Sequence, residues 1–117
     1  KRMKIENKYS VNARIWIERE DGAFLGWGRI RLLENIRKTG SITNAAKEMD
    51  MSYRKAWELV KKMNEKAPKP LVEKIIGGKN GSGANLTNEG EKMIEKFYEI
   101  ENEIKMHIEN KYKHLVL

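Results

Sequence analysis

The chain has 117 residues, of which 35% are charged, with 24 Lys/Arg against 17 Asp/Glu and a formal net charge of +7. That length suits one domain. The absence of Cys excludes disulfides, thiolate metal sites and Cys nucleophiles. The two histidines, His107 and His114, both near the end of the chain, read as solvated helix residues and leave no basis for a triad or a His-based metal cluster. No catalytic residue, metal ligand or cofactor is therefore expected. No apolar run approaches the ~18 residues of a membrane span, and Lys1–Tyr9 lacks the apolar stretch of a secretory signal. A cytoplasmic location is expected.

Net basicity points to a polyanionic partner, nucleic acid before membrane. The charge is also segregated: residues 1–87 hold 19 Lys/Arg and 10 Asp/Glu, net +9, whereas residues 88–117 hold 5 and 7, net −2. The tail reads as a different working surface.

In chain order, Ser10–Glu18 alternates with period two. Val11, Ala13, Ile15 and Ile17 fall on one face and Asn12, Arg14, Trp16 and Glu18 on the other, which predicts a half-buried strand. Trp16 on the outward face is either an ordinary exposed aromatic or a contact to a partner. Glu20-Asp21-Gly22 signals a turn, and Ala23-Phe24-Leu25 a short return strand. Ile30, Leu33 and Ile36 then follow helical spacing up to Thr39-Gly40, a glycine stop. Ser41 is an N-cap for a second helix continuing through Asn44 to Met49. After the break Asp50-Met51-Ser52, a third helix runs from Tyr53 to about Lys66, with Ala56, Trp57, Val60 and Met63 as its expected buried stripe.

Pro68 and Pro70 end that helix. Leu71–Ile76 predicts a strand, Gly77–Gly83 a glycine-rich tip and Ala84–Leu86 a return strand. The tip does not match a phosphate-binding P-loop and does not run from strand into helix. Thr87 caps a last helix in which Met93, Ile94, Phe97, Ile100, Ile104 and Ile108 keep helical spacing. Its first turn carries Glu89 and Glu91, matched to the helix dipole.

Residues 41–66 form two helices joined by a short turn, the second basic on its outer face. That is a helix-turn-helix, and an α-helix fits the major groove of B-DNA with its N-terminal residues at the base edges. Ser52, Tyr53, Arg54 and Lys55 occupy that leading turn. Ser41, Thr43 and Asn44 stand at the start of the preceding helix, where free backbone N–H groups favour phosphate. The hairpin of residues 71–86 reads as a wing, bringing Lys74, Lys79 and Asn80 beside the groove.

The ordered set Phe24-Leu25-Gly26-Trp27-Gly28-Arg29, Gly40-Ser41-Ile42-Thr43-Asn44-Ala45-Ala46-Lys47, Met51-Ser52-Tyr53-Arg54-Lys55-Ala56-Trp57, Met63-Asn64, Leu71-Val72-Glu73, Gly77-Gly78-Lys79 and Leu86-Thr87-Asn88-Glu89-Gly90 resembles the N-terminal DNA-binding domain of the molybdate-responsive, ModE-type transcription regulators, relatives of the LysR-type helix-turn-helix. The likeness covers roughly residues 10–110, and the Ser-Tyr-Arg-Lys-Ala-Trp run with the Gly-Gly-Lys wing is its most specific part. It implies an α+β winged helix-turn-helix with an N-terminal strand or hairpin and a long C-terminal dimerisation helix. Residues 1–117 would form one such domain, with the dimer helix at about 88–112. The expected partners are double-stranded DNA and a second copy of the chain. The sequence departs from the family where Asn80 and Ser82 interrupt the glycine run of the wing. The regulators also carry a C-terminal oxyanion-binding region, and nothing follows residue 117 here. Molybdate binding is thus not expected, whether the chain is a fragment or a stand-alone member.

The dimer expectation also has a physical basis. A small core closes near Phe97, so Ile100, Ile104 and Ile108 need another surface to cover them, and with Trp16 they are the expected interface. Two other readings compete with operator binding. A winged helix can serve as a protein-interaction module, whose association would be insensitive to salt where DNA binding is steeply sensitive. An RNA reader would present several exposed aromatics on a sheet, and only Trp16 and Tyr9 offer themselves.

Overall fold

Two antiparallel hairpins bracket three helices, and a long helix ends the chain. The computed structural model describes residues 9–78, 81–115 and 117. In order these form β1 (Trp16–Arg19), β2 (Gly22–Gly26), α1 (Trp27–Thr39), α2 (Ile42–Glu48), α3 (Tyr53–Lys66), β3 (Val72–Gly78), β4 (Gly81–Leu86) and α4 (Asn88–Tyr112). This is the expected α+β winged helix-turn-helix. Lys79 and Asn80, expected at the wing tip, lie outside the described residues.

The first hairpin is shorter than the alternation of Ser10–Glu18 predicts. β1 pairs with β2 from Trp16 opposite Gly26 to Arg19 opposite Gly22. Residues 10–15 have no strand to pair with, because the chain turns into α1 at Trp27. The register skips Phe24 between the pairs Ile17–Leu25 and Glu18–Ala23. A bulge of this kind breaks the strict in-out alternation, and the consecutive Phe24 and Leu25 are both buried.

Around α1 the core assembles. Ile30, Leu32, Leu33 and Ile36 have no exposed surface, and Ile42, Ala45, Ala46, Ala56, Val60, Met63, Leu71, Val72, Ala84, Ile94 and Phe97 close over them. Gly40 stops α1 in the left-handed conformation at φ 69° and donates its N–H to the Ile36 carbonyl at 2.8 Å. The turn into α3 uses Asp50 at φ 53°, one of the few residue types that tolerate this region. Ser41, Ser52 and Thr87 cap α2, α3 and α4 as the sequence predicts, accepting from the N–H groups of Asn44, Lys55 and Gly90.

Trp57 departs from its expected place. It is half-buried at the edge of the core, not inside it. Ala56, Val60 and Met63 face the core, whereas Tyr53, Trp57 and Asn64 share another side of α3, since positions four and eleven apart nearly eclipse on a helix. That side faces the wing.

The wing is anchored at its base. Asn64 Oδ1 accepts from the backbone N–H of Leu71 at 2.8 Å and of Val72 at 3.1 Å, and its Nδ2 donates to the Val72 carbonyl at 3.0 Å. On the other strand, the Ala84 N–H donates to the Gly40 carbonyl at 3.0 Å. A Cβ on Gly83 would stand 2.9 Å from that same oxygen, so glycine lets β4 approach the α1–α2 corner. The two strands reach further into the glycine-rich segment than the sequence predicts, to Gly78 and from Gly81, because backbone pairing needs no side chain.

α4 is tied to α1 by the Arg37–Glu91 pair at 2.7 Å and by the Tyr98 hydroxyl, which donates to Glu34 Oε2 at 3.0 Å. Beyond Phe97 it leaves the core. Its 25 residues span about 37 Å in a molecule extending 70 × 29 × 21 Å. Ile100, Ile104 and Ile108 are half-buried. Tyr9–Ala13 runs beside this end of the helix, and together they enclose a groove of about 330 Å³ that Ile108 lines.

Candidate nucleic-acid interface

Three elements converge on one face: the start of α2, the start of α3 and the edge of β3. Ser41, Ile42, Thr43, Tyr53, Lys74, Ile76 and Gly83 line a common groove of about 200 Å³ between them. Neither α2 nor α3 has an acidic residue in its first turn. The positive ends of both helix dipoles are therefore left uncompensated, a favourable setting for an anion.

On the leading turn of α3, Ser52, Tyr53, Arg54 and Lys55 are all exposed. The Ser52 oxygen is engaged as a cap, accepting from Lys55 N–H at 3.1 Å, but its own hydrogen stays available. Among the described residues Arg54 and Lys55 have no ion pair and no side-chain hydrogen bond. Thr43 and Asn44 are exposed on the first turn of α2, and Ser41 caps it through the Asn44 N–H at 3.0 Å.

Lys74 is held in place. Its ammonium sits 3.9 Å from the centroid of the Trp57 ring and donates to the Tyr53 hydroxyl oxygen at 3.4 Å. Ile76, two residues on and lining the same groove, is 85% exposed. The sequence reading missed Ile76 as a surface residue, although its spacing of two from Lys74 places both on one face of the strand. It also left Trp27 aside, which is 49% exposed and carries the Arg31 guanidinium 4.8 Å above its ring.

The residues expected at a dimer contact lie on another surface. Trp16, 59% exposed, and Trp27 border a groove that also includes Ile15, Glu101 and Lys105. Among the described residues no group of three His, Cys, Asp or Glu side chains is placed to hold a metal ion, and no helix is long and apolar enough to cross a membrane.

The family model for bacterial regulatory helix-turn-helix proteins of the lysR family matches residues 27–91, from the first turn of α1 to the start of α4. The chain belongs to this family. It is a family of DNA-binding transcription regulators, not of enzymes. Its relatives include ModE and Mop proteins. The chain is 41% identical over 91 residues to the molybdenum transport protein ModE of Azotobacter vinelandii, covering 78% of this chain and 34% of that protein. It is 40% identical over 79 residues to the transcriptional regulator ModE of Haemophilus influenzae, covering 68% and 31%. With the molybdenum-pterin-binding protein MopB of Rhodobacter capsulatus it shares 46% over 80 residues, covering 68% and 30%. The chain thus spans about a third of the length of these relatives, and the likeness is to a DNA-binding helix-turn-helix region. Among solved structures, the MepR–DNA complex of S. aureus superposes with a TM-score of 0.54 at 16% identity, covering 74% of this chain and 64% of that one. That match establishes the winged fold.

Proposed function

We propose that this lysR-family chain is a sequence-specific, double-stranded-DNA-binding transcription regulator that works in the cytoplasm as a homodimer, with residues 1–117 as one winged-helix unit. One observation carries the reading. Arg54 and Lys55 project from the first turn of α3 with no intramolecular ion partner among the described residues, beside two helix N-termini free of acidic residues. Leaving cations unpaired beside first turns that lack acidic residues favours binding a polyanion over stabilising the fold.

In this reading α3 enters the major groove. Arg54 reads a guanine through its paired N–H donors. Ser52, Tyr53 and Lys55 hold the flanking backbone, and Ser41, Thr43 and Asn44 hold phosphate at the start of α2. Lys74, Lys79 and Asn80 of the wing lie along the adjacent strand. Two copies joined through the α4 tail and the Trp16 surface bury apolar side chains that one copy leaves in water: Tyr9, Val11, Trp16, Trp27, Met106 and Tyr112. Ile100, Ile104 and Ile108 lie half-buried on the same tail.

Selection from random duplex DNA tests the proposal. It should enrich an inverted repeat whose half-sites are spaced by roughly 34–36 Å or a multiple. Log affinity for that site should fall linearly with log salt, by about 0.9 per phosphate neutralised. Micromolar molybdate should leave the affinity of these 117 residues unchanged. Failure to enrich any sequence, or tight binding insensitive to salt, would overturn it in favour of a protein-interaction role.

A further inference from the structure

Above the Asn64 anchor at its base, the wing meets α3 through the Lys74 cation. Tyr53 and Trp57 are four residues apart on α3 and therefore stack on one side of the helix. Lys74 comes from β3, opposite Ala84, and its ammonium reaches both, 3.9 Å from the Trp57 ring centroid and 3.4 Å from the Tyr53 oxygen. Among the described residues it forms no ion pair. An ammonium over an indole face is held by the ring quadrupole, and that hold is directional where a solvated lysine has none.

The contact also fixes the polarity of Tyr53. A phenolic oxygen both donates and accepts. Here one lone pair is engaged by Lys74, which leaves the O–H hydrogen free to donate, on a side chain that is 44% exposed. That hydrogen opens into the groove lined by Ser41 and Thr43 at the start of α2. Among the described residues Lys74 is the one charged side chain lining this groove and no acidic residue lines it, which suits a phosphate oxygen better than a base edge.

Resting on the DNA-binding reading above, we propose that Lys74 is a positioning residue. It latches the wing to α3 and commits the Tyr53 hydroxyl to donate to a backbone phosphate. Lys74 thus acts through Tyr53 and Trp57 as well as through its own charge, and the angle between wing and recognition helix is set before DNA arrives.

The test is a double-mutant cycle on the full chain with Tyr53→Phe, Lys74→Met and both together, read by affinity for the selected duplex and for a scrambled one. Tyr53→Phe should weaken both duplexes by about three- to tenfold, the loss of one hydrogen bond to a charged acceptor. In the Lys74→Met background the same change should cost less than about twofold, because coupled residues do not add. Lys74→Arg, whose guanidinium still stacks on the indole, should stay within about threefold of the wild type. In the DNA-free protein, Lys74→Met should shift the indole N–H resonance of Trp57 and leave those of Trp16 and Trp27 in place. Additive losses, or an unmoved Trp57 resonance, would overturn the latch. A Tyr53→Phe loss confined to the selected duplex would overturn the phosphate assignment. If the wild type binds no duplex, the DNA-binding reading and the role of Tyr53 fall together, while the Trp57 resonance still reports on the latch.

Discussion

Asn64 anchors the base of the wing to α3. Its amide makes three hydrogen bonds to the backbone of residues 71 and 72, at 2.8, 3.1 and 3.0 Å. Leu71 is fully buried and Val72 nearly so, at 0% and 4% exposure. Asn64→Leu keeps the shape of the side chain and removes both the acceptor and the donor. It strands two N–H groups and a carbonyl, at a cost of about 1–3 kcal/mol each when no water can replace the partner. Asn64 is itself only half-buried, so water recovers part of this, and the net loss should be about 3 kcal/mol. At roughly 3–6 °C per kcal/mol for a chain of this size, the melting temperature should fall by roughly 9–18 °C.

Asn64→Asp provides the graded control. It keeps an oxygen for the Leu71 and Val72 N–H groups but turns a second oxygen toward the Val72 carbonyl, so its loss should fall between wild type and Asn64→Leu. Urea unfolding followed by tryptophan emission measures both, with an unchanged slope if only stability has moved. Below the melting transition, Asn64→Leu should also bind DNA less tightly, because β3 carries Lys74 into the proposed interface. A loss under about 1 kcal/mol for Asn64→Leu, or equal losses for the two variants, would refute the account of the wing base.

Arg54→Ala should lose about 1–3 kcal/mol and relax preference at one base pair per half-site. Lys79→Ala should weaken all sequences alike and lower the salt slope by about one, and identical behaviour of the two across a panel of sites would refute the division of labour. Ile104→Asp places a carboxylate in the half-buried stripe of α4 and should shift the protein to monomer in sedimentation; a variant still dimeric, or a wild type monomeric at tens of micromolar, refutes the tail interface. Burial, and then the hydrogen bond donated to Glu34, raise the Tyr98 hydroxyl above the usual tyrosine range. Its stabilisation is therefore present below the unfolded tyrosine pKa of ~10 and lost as pH rises through the higher folded value. Tyr98→Phe should be less stable than wild type at neutral pH and approach it in strong alkali, and a stability gap independent of pH would contradict this.

How far the sequence predicted the structure depended on which physical signal each residue carried. Caps and breaks were legible because they are local: Ser41, Ser52, Thr87 and Gly40 each do what their chemistry dictates within four residues. The core stripe of α1 followed from period alone. Trp57 was misplaced because apolarity was weighed without angle; it lies next to Ala56 in sequence but on the side of α3 that faces the wing. Residues 10–15 alternate like a strand, yet pairing needs a partner, and β2 ends at Gly26. Likewise, the half-burial of Ile108 beside Tyr9–Ala13 is a long-range contact that periodicity within α4 cannot encode. Of the proposed interface, Ser41, Thr43, Tyr53 and Lys74 do converge on one groove. That Lys74 is already engaged was not readable, since its partners lie 17 and 21 residues away on another element.

The placement of ion pairs ties the fold to its electrostatic task. Among the described residues Arg19 and Lys66 both reach Asp21, Arg37 reaches Glu91, Lys38 reaches Glu48, and Lys96 and Lys105 pair with glutamates on α4. Most of these pairs are well exposed, and such pairs add little stability. None of them involves Arg54 or Lys55, so the first turn of α3 keeps its positive charge unpaired within a stretch, residues 1–87, whose net charge is +9. The net −2 of residues 88–117 adds an opposing sign on the long helix. A polyanion approaching such a molecule is attracted to one side and repelled from the tail, which orients the encounter before any base is read. Beyond about 8 Å at physiological salt the field is screened, so orientation weakens first as salt rises, whereas the proposed contact of Arg54 with a guanine edge would act at close range and keep its preference. Raising salt should therefore slow association more than it erodes discrimination between sites.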